Sequence, residues 1–461
     1  MKPDPYGSDI AKELVHQLPR VSVHVSPERS DIWSALGTVL RASIDYFRYL
    51  EPRFRHAPKL KQRAAVWPLE WIYRPLEWKL IRWICLERAL RNLFVHIERS
   101  IPVPSAIRSY LQVQSPDVLL ISPMVDIGSD QVDYVRAAGQ LGIPSCLPVA
   151  SWDNLTNKGL VKVQPDLVTV WNARQHEEAE TMHGLDPKRI AITGAPTFDK
   201  WFDQRPSCTR DDFLENLGLP KGEACLLYLC SSPFTTPREV SFVLQWLQSI
   251  RTASSVALRQ AGVLIRPHPQ HIEQWENVDM NDSSVVVWPR RRGFSSDRQA
   301  HADFVNSILH SNAVIGINTS GQIEAAILNR PVFTILASEF RETQQGTLHF
   351  HYIADPESGF AHVAVDLGEH VAQLTEQLFK PSTGTSSNDT FVKSFVRPFG
   401  LTGSAAAILA NRIEGLASMP ICNSTLVSAG VLTVRAVLLP LALVMSMLKY
   451  VLRRGQVLVA E

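Results

Sequence analysis

The chain lacks the patterns that mark most cofactor and metal sites. Its six cysteines, Cys85, Cys146, Cys208, Cys225, Cys230 and Cys422, form no C-x-x-C pair, and no cysteine–histidine group has zinc spacing. That disfavours a zinc module and predicts free, buried thiols in a reducing cytosol. Asp-x-Asp is absent, which disfavours a carboxylate pair chelating a metal on a nucleotide. Neither G-x-x-x-x-G-K-[ST] nor G-x-G-x-x-G occurs, which disfavours P-loop and dinucleotide chemistry. Charge excess is missing too: the formal net charge is +1, so nucleic acid is not the expected partner. The polar start, with Pro3 and Pro5, has no apolar core of a secretory signal.

What remains is a globular composition, with 45% hydrophobic and 20% charged residues in 461, a length that suits two domains with extensions. Ser8–Leu18 reads as a short amphipathic helix, and Val21–Val25 alternates like a strand. Residues 41–94 hold twelve Lys/Arg against five Asp/Glu, interleaved with Trp67, Trp71, Trp78 and Trp83, and Glu77–Ile97 has helical periodicity. Two readings stand for this stretch: helices packed on a sheet with a solvated basic rim, or a face for an anionic membrane or lipid-linked substrate.

From Val118 an α/β rhythm sets in. Val118–Ser122, Ser145–Val149, Leu167–Trp171 and Ile190–Thr193 read as buried strands, with helices over Val132–Ala138 and Glu177–His183. After a polar stretch, Phe202–Gly222, expected as the linker, the rhythm restarts. Strands are expected at Cys225–Cys230, Val263–Arg266, Val285–Trp288, Ala313–Ile317 and Val332–Ile335, and helices at Val240–Ile250, Phe304–Leu309 and Gln322–Leu328. Phe360–Val365 and Leu374–Leu378 continue the unit. Beyond a Ser/Thr/Gly-rich loop at Ser382–Ser387, Ser404–Leu416 is a helix whose Ala and Leu positions suit packing between domains. The fold class expected is α/β: two Rossmann-like doubly wound domains facing a cleft, with a C-terminal hydrophobic helix. The domains expected are 1–205 and 206–385, a returning helix at 386–418 and a membrane-associating tail at 419–461. Only thirteen residues separate Arg435 from Lys449, and at ~1.5 Å each they reach about 20 Å, short of a bilayer core. An interfacial anchor, a true span and a helix packed on the protein all remain open, and Arg453 and Arg454 suit a cytosolic-side anchor.

Four segments carry candidate chemistry. In Ala313–Val332 a buried strand ends in Asn318-Thr319-Ser320-Gly321, and a helix begins there with Glu324 in its first turn. Free N–H groups at a helix start favour phosphate, and Glu324 suits a ribose diol; an ordinary capped turn is the alternative. Arg266-Pro-His268-Pro is a stiff strand exit offering a cation and an imidazole to a diphosphate, or a surface turn with an incidental histidine. Ser151-Trp152-Asp153-Asn154, continuing to Lys158-Gly159, suggests a binding loop; Asp153 is a candidate base for an acceptor hydroxyl, or an Asx-turn residue. Thr193-Gly194 through Asp199, and Cys230-Ser231-Ser232, complete the set. Asp126 and Gln131 are further acceptor-side candidates, and His349 and His351, placed on a strand, are taken as structural.

Arg266-Pro-His-Pro269, Thr319-Ser-Gly-x-x-Glu324 and Arg330-Pro-Val332 together resemble GT-B enzymes of bacterial surface-polymer synthesis, the CDP-glycerol glycerophosphotransferase-like and capsule polysaccharide transferase groups. More distantly the chain resembles the non-hydrolysing UDP-N-acetylglucosamine 2-epimerases. The resemblance covers roughly residues 115–415. It implies a donor-nucleotide site at Arg266, His268, Ser320, Gly321 and Glu324, to which Ser231, Ser232, Asn318 and Thr319 are added. Asp153 and His268 are then the catalytic candidates, and Asp126, Gln131, Trp152, Asn154 and Lys158 the acceptor side. The function expected is a metal-independent transferase without cofactor. It would use a nucleotide-sugar or CDP-polyol donor and a glycan or lipid-linked acceptor at the inner face of the membrane. A nucleotide-sugar 2-epimerase and a non-catalytic scaffold are the alternatives.

Overall fold

The computed structural model describes residue 15 and residues 18–65, 86–290, 298–380, 386–418 and 428–458. The four tryptophans of the basic stretch, Cys85, Cys422 and most of the Ser8–Leu18 and Ser382–Ser387 segments lie outside the described residues. Contacts divide the chain into two compact units, Ser26–Pro196 with Arg397–Glu461, and Met1–Val25 with Thr197–Val396.

The first unit opens with α1 (Ser34–Arg48) and α2 (Leu86–Ser100), followed by β1 (Leu119–Leu120), α3 (Val132–Leu141), β2 (Ser145–Pro148), β3 (Leu167–Val170), α4 (Ala173–His183) and β4 (Ile190–Ile192). The four strands pair in parallel, in the order β1-β2-β3-β4. Leu147, Val149, Val168 and Val170 form the core with Val135 and Ala179. β1 is short because it is an edge, and Leu120 is exposed.

Two cations of residues 41–94, Arg41 and Arg48, are internal, whereas Arg53, Arg55 and Lys59 are exposed. Arg41 is buried and bonds Asp133 at 2.7 and 2.9 Å and Glu98 at 2.8 Å. Arg29 joins at Asp133 (2.9 Å) and Arg136 at Glu98 (2.6 Å). The network ties α1, α2 and α3 together; removing one member of such a set strands a buried charge, at roughly 3–5 kcal/mol.

The second unit runs β5 (Cys225–Leu229), α5 (Glu239–Arg251), β6 (Gly262–Arg266), β7 (Val285–Val287), α6 (Arg298–Leu309), β8 (Ala313–Gly316), α7 (Ser320–Ile327), β9 (Val332–Ile335), β10 (His362–Ala364) and α8 (Leu367–Leu378). The sheet is parallel throughout, in the order β10-β9-β8-β5-β6-β7. The chain therefore starts in the middle, winds outward to β7, then crosses back to β8. The strand order reverses between β5 and β8, a topological switch point whose carboxyl edge is where such sheets bind ligands. Every residue of β5, β8 and β9 is buried, which explains their unbroken apolar runs.

Two further helices follow, α9 (Ala405–Ala417) and α10 (Ala429–Leu458). Several expectations need correction. Val21–Val25 forms no strand among the described residues, and Val21, Val23 and Val25 are all exposed, because alternation makes a strand only where an edge accepts it. Phe202–Gly222 is not a bare linker: Arg210–Leu217 is helical, capped by Thr209 and anchored by buried Phe213 and Leu214. His349 and His351 belong to the start of a helix, Phe350–Ala354, rather than a strand. α9 buries only Ala405 and Leu416, so its alanine face is largely exposed. Cys146, Cys225 and Cys230 are free and buried, and burial pushes the Cys146 thiol up to about 12.

Candidate functional site

A cavity of about 370 Å³ lies at the carboxyl ends of β5, β6 and β8, wholly within the second unit. Its lining joins the two turns singled out in the sequence: Arg266, Pro267, His268 and Pro269 from the exit of β6, and Thr319, Ser320, Gly321 and Glu324 from the start of α7. Cys230 contributes from the exit of β5.

Two glycines let α7 begin here. A Cβ on Gly316 would stand 3.0 Å from Gln322 Cδ, and one on Gly321 would stand 2.8 Å from Leu229 Cδ1. Gln322, fully buried, uses the space: its Oε1 accepts from Thr319 N–H at 3.1 Å and its Nε2 donates to the Gly316 carbonyl at 3.1 Å. Ser320 and Gly321 are the first two residues of α7, so their N–H groups have no acceptor within the helix, and the positive end of its dipole faces the cavity.

Arg266 supplies the full charge. Its guanidinium carbon sits 4.9 Å from the Trp288 ring centre and 5.1 Å from that of Phe304, and Nη1 donates to Ser307 Oγ at 2.9 Å. Burial pulls its pKa down to about 10, with Asp303 acting in the opposite direction. Among the described residues no carboxylate lies within ion-pair distance of it. A desolvated cation of this kind favours an anion arriving from the cavity.

Glu324 stands in the same wall. Burial lifts its carboxyl to about 7, and Lys200 moderates the effect, so near neutral pH it can accept hydrogen bonds or exchange a proton. Burial and neighbouring His271 hold His268 below the usual imidazole range. Its Nδ1 accepts from Gln270 N–H at 3.2 Å, which leaves the proton of the neutral ring on Nε2.

The sequence reading missed part of this wall. Lys200, Trp201 and His301 also line the cavity. Trp201 packs edge-on against His301 at 5.2 Å and Phe304 at 5.8 Å. His301 Nε2 is buried without a hydrogen-bond partner among the described residues. Lys200 and Trp201 stand directly after the Thr193–Asp199 segment, so a slightly wider window on that motif would have included them.

Three donor-side candidates stand behind the cavity instead of lining it. Ser231 is buried; its N–H donates to the Glu239 carboxylate at 3.0 Å and its Oγ accepts from Asn318 N–H at 3.2 Å. Asn318 Nδ2 donates to Thr347 Oγ1 at 3.3 Å. Ser232 Oγ pairs with Thr235 Oγ1 at 3.3 Å. Glu239 also accepts from Thr236 Oγ1 at 2.9 Å and Tyr228 OH at 3.2 Å, and burial pushes it up to about 8. These groups fix the turn that carries Cys230.

In the first unit, the Ser151–Gly159 loop is held from α1. Arg48 donates to the carbonyls of Lys158 (2.7 Å), Gly159 (3.0 Å) and Leu155, and Tyr49 OH donates to the Lys158 carbonyl at 2.6 Å. Asp153 accepts from Ser151 Oγ at 2.7 Å, and Asn154 Oδ1 accepts from Ser151 N–H at 3.2 Å. Trp152 is buried. Gln131 bridges Met124 N–H (2.7 Å) and the Ser122 carbonyl (3.1 Å), and Asp126 is exposed. A second cavity of about 900 Å³ in this unit, between α1, α2 and the end of α4, is lined by none of these residues.

No protein-family profile matches the chain, and no curated protein matches it. Among solved structures it is distantly similar to a putative UDP-N-acetylglucosamine 2-epimerase from Listeria monocytogenes, at 15% identity and a TM-score of 0.47 over 72% of this chain and 82% of that one. It is similar to S. aureus MnaA, solved with UDP, at 14% identity and a TM-score of 0.46 over 69% and 78%. It is also similar to the wall teichoic acid polymerase TagF, at 17% identity and a TM-score of 0.35 over 54% and 59%. The chain thus matches under two thirds of the length of TagF.

Proposed function

We propose that the cavity at the β5/β8 switch point holds the diphosphate of a nucleotide-activated donor. The protein would be a GT-B-type transferase that passes a glycosyl or polyol-phosphate group to a glycan or lipid-linked acceptor of the cell envelope. One observation carries this reading: the Arg266 guanidinium, half-buried and held between Trp288 and Phe304 without a carboxylate in contact among the described residues, opens on the same cavity as the start of α7. Charge developing on a leaving diphosphate would be met by that guanidinium, by the Ser320 and Gly321 N–H groups and by the His268 ring. Glu324 would take the ribose hydroxyls. Asp153 is the proposed base for the acceptor hydroxyl, with Trp152, Asn154 and Lys158 beside it in sequence. The enzyme would work on the cytoplasmic side of the membrane.

Thermal shift against UDP, CDP, GDP and their sugar or polyol conjugates tests the donor site, since a ligand bound only by the folded state raises the melting temperature. A rise with at least one of these, lost in Arg266→Gln, is expected. No response to any of them removes the reading.

A second reading, a nucleotide-sugar 2-epimerase, is favoured by the near-neutral Glu324 carboxyl sharing a cavity with His268 and His301, a proton-transfer set that needs no acceptor. Solvent deuterium appearing at C2 of the sugar without any acceptor would select it.

A further inference from the structure

The helix α10 spans thirty residues and contains Pro440, and its Ala429–Val451 segment is long and apolar enough to cross a membrane, with a mean hydropathy of 2.2 over its most apolar 18 residues. Its side chains are segregated in an unusual way. One stripe, Arg435, Leu438, Ala442, Met445 and Lys449, turns toward the protein: Leu438, Ala442 and Met445 pack with Trp33, Leu36 and Leu40 of the α1 region and with Phe94, Ile97 and Ile101 of the α2 region. Both charged residues of the stretch sit in this stripe. Arg435 Nε donates to the Ser100 carbonyl at 2.7 Å, and Lys449 Nζ donates to Ser34 Oγ at 2.9 Å. The opposite side, including Val437, Leu441, Val444, Met447 and Val451, is exposed and carries no charge between Leu432 and Val451.

We propose that α10 lies in the plane of a bilayer interface, its outer side immersed among acyl chains and its inner stripe seated on α1 and α2. The two polar contacts decide against a span. They fix α10 at Ser100, the end of α2, and at Ser34, the start of α1, across fourteen positions. A transbilayer α10 would break both or draw α1 and α2 into the hydrocarbon, along with the buried charges of Arg41 and Glu98. A helix lying in the interface keeps both. The width of the apolar side decides against a second copy. At 3.6 residues per turn the outward positions cover about 200° of the circumference, whereas a helix–helix seam uses two residues in seven. Because Arg435 and Lys449 face inward, the attachment along Ala429–Val451 rests on apolar area rather than on anionic headgroups. This inference is independent of the donor cavity.

Flotation of the full chain with sealed phosphatidylcholine vesicles, which carry no net charge, tests it at about 0.5 M salt, where screening acts within about 4 Å. The chain is expected to float. Leu441→Lys with Val444→Lys should lower partitioning at least tenfold, and Met447→Lys alone should lower it measurably; Val365→Lys, exposed in the other unit, should not. Unchanged melting of these variants separates lost binding from unfolding. An epitope placed after Glu461 should be digested by protease added outside the vesicles. A chain that stays in the soluble fraction, as monomer or as dimer, overturns the proposal; a protected epitope overturns the in-plane geometry.

Discussion

Gly321 and Leu229 meet so closely that a Cβ on the glycine would stand 2.8 Å from Leu229 Cδ1. The last residue of β5 thereby sets how near the start of α7 comes to the switch point. Gly321→Ala must shift either the buried Leu229 side chain or the start of α7, at about 1–3 kcal/mol, the usual cost of overpacking. It should also weaken any diphosphate response, because the Ser320 and Gly321 N–H groups move with the helix. Leu229→Ala in the same chain should recover part of both losses. Urea unfolding of the four proteins in this cycle measures the coupling; strict additivity would show that the contact is not the cause.

Arg266→Met should separate stability from binding. The guanidinium stands between two aromatic rings, and among the described residues it donates to Ser307 Oγ at 2.9 Å and to the Asp303 carbonyl at 3.5 Å. An apolar side chain of similar length fits the same slot. Unliganded stability should stay within about 1 kcal/mol of the parent, since replacing a poorly compensated buried charge is often neutral. Diphosphate affinity should fall about 10- to 100-fold, the worth of a charge-assisted hydrogen bond or two. Calorimetric titration with UDP and CDP beside thermal melting checks both. A variant that melts early yet binds normally would assign Arg266 to the fold alone.

Half-buried Glu324 and fully buried His370 give the stability profile opposite slopes. Glu324 is raised from 4.5 to about 7 in the folded chain, so the stability its neutral form contributes is complete below pH 4.5 and lost as pH rises through 7. Glu324→Gln should flatten that loss between pH 4.5 and 7 by about 1–2 kcal/mol, a modest figure because the carboxyl borders an open cavity. His370 is lowered from 6.5 to about 3 by burial alone. It lies 6.1 Å from the Phe333 ring centre and 6.5 Å from that of Trp246, with no hydrogen-bond partner for either nitrogen among the described residues. Stability should therefore fall as pH drops from 6.5 toward 3. His370→Leu should remove roughly 2–3 kcal/mol of that acid-side loss. Unfolding midpoints from pH 4 to 8 for the parent and both variants test the signs.

The parallel strands were legible because burial on both faces leaves an unbroken apolar run, as in Leu226–Leu229 and Val332–Ile335. The turns at Arg266–Pro269 and Asn318–Gly321 were legible because proline and glycine mark strand exits. Strand order was not: nothing local in Ala313–Gly316 says that β8 returns to pair with β5. The same limit hid His301, whose helix begins before its apolar face does. It also hid α1, where Arg41, Asp45 and Arg48 read as surface charge while their partners stand far along the chain. The isolated Val21–Val25 alternation misled for the converse reason: a period of two without an edge to pair with makes no strand.

Asp45 and Gly159 supply the last test, in the loop that carries Asp153. The Asp45 carboxylate accepts from Gly128 N–H at 3.0 Å, Leu160 N–H at 2.7 Å and Lys162 Nζ at 2.8 Å. A Cβ on Gly159 would lie 2.7 Å from Asp45 Oδ1. Gly159→Ala must therefore displace a buried carboxylate from three donors, and more than about 2 kcal/mol should be lost. Asp45→Asn keeps the shape but leaves Lys162 without a counter-charge, and roughly 3 kcal/mol or more should go. Both variants should release the amides of Asn154–Asn157 to hydrogen exchange before the sheet amides of Val168 and Val170, because the loop is held from α1 and not from the strands. Loop and strand amides exchanging together would show instead that the loop opens only when the whole unit unfolds, and the anchoring role of Asp45 would fall with that result.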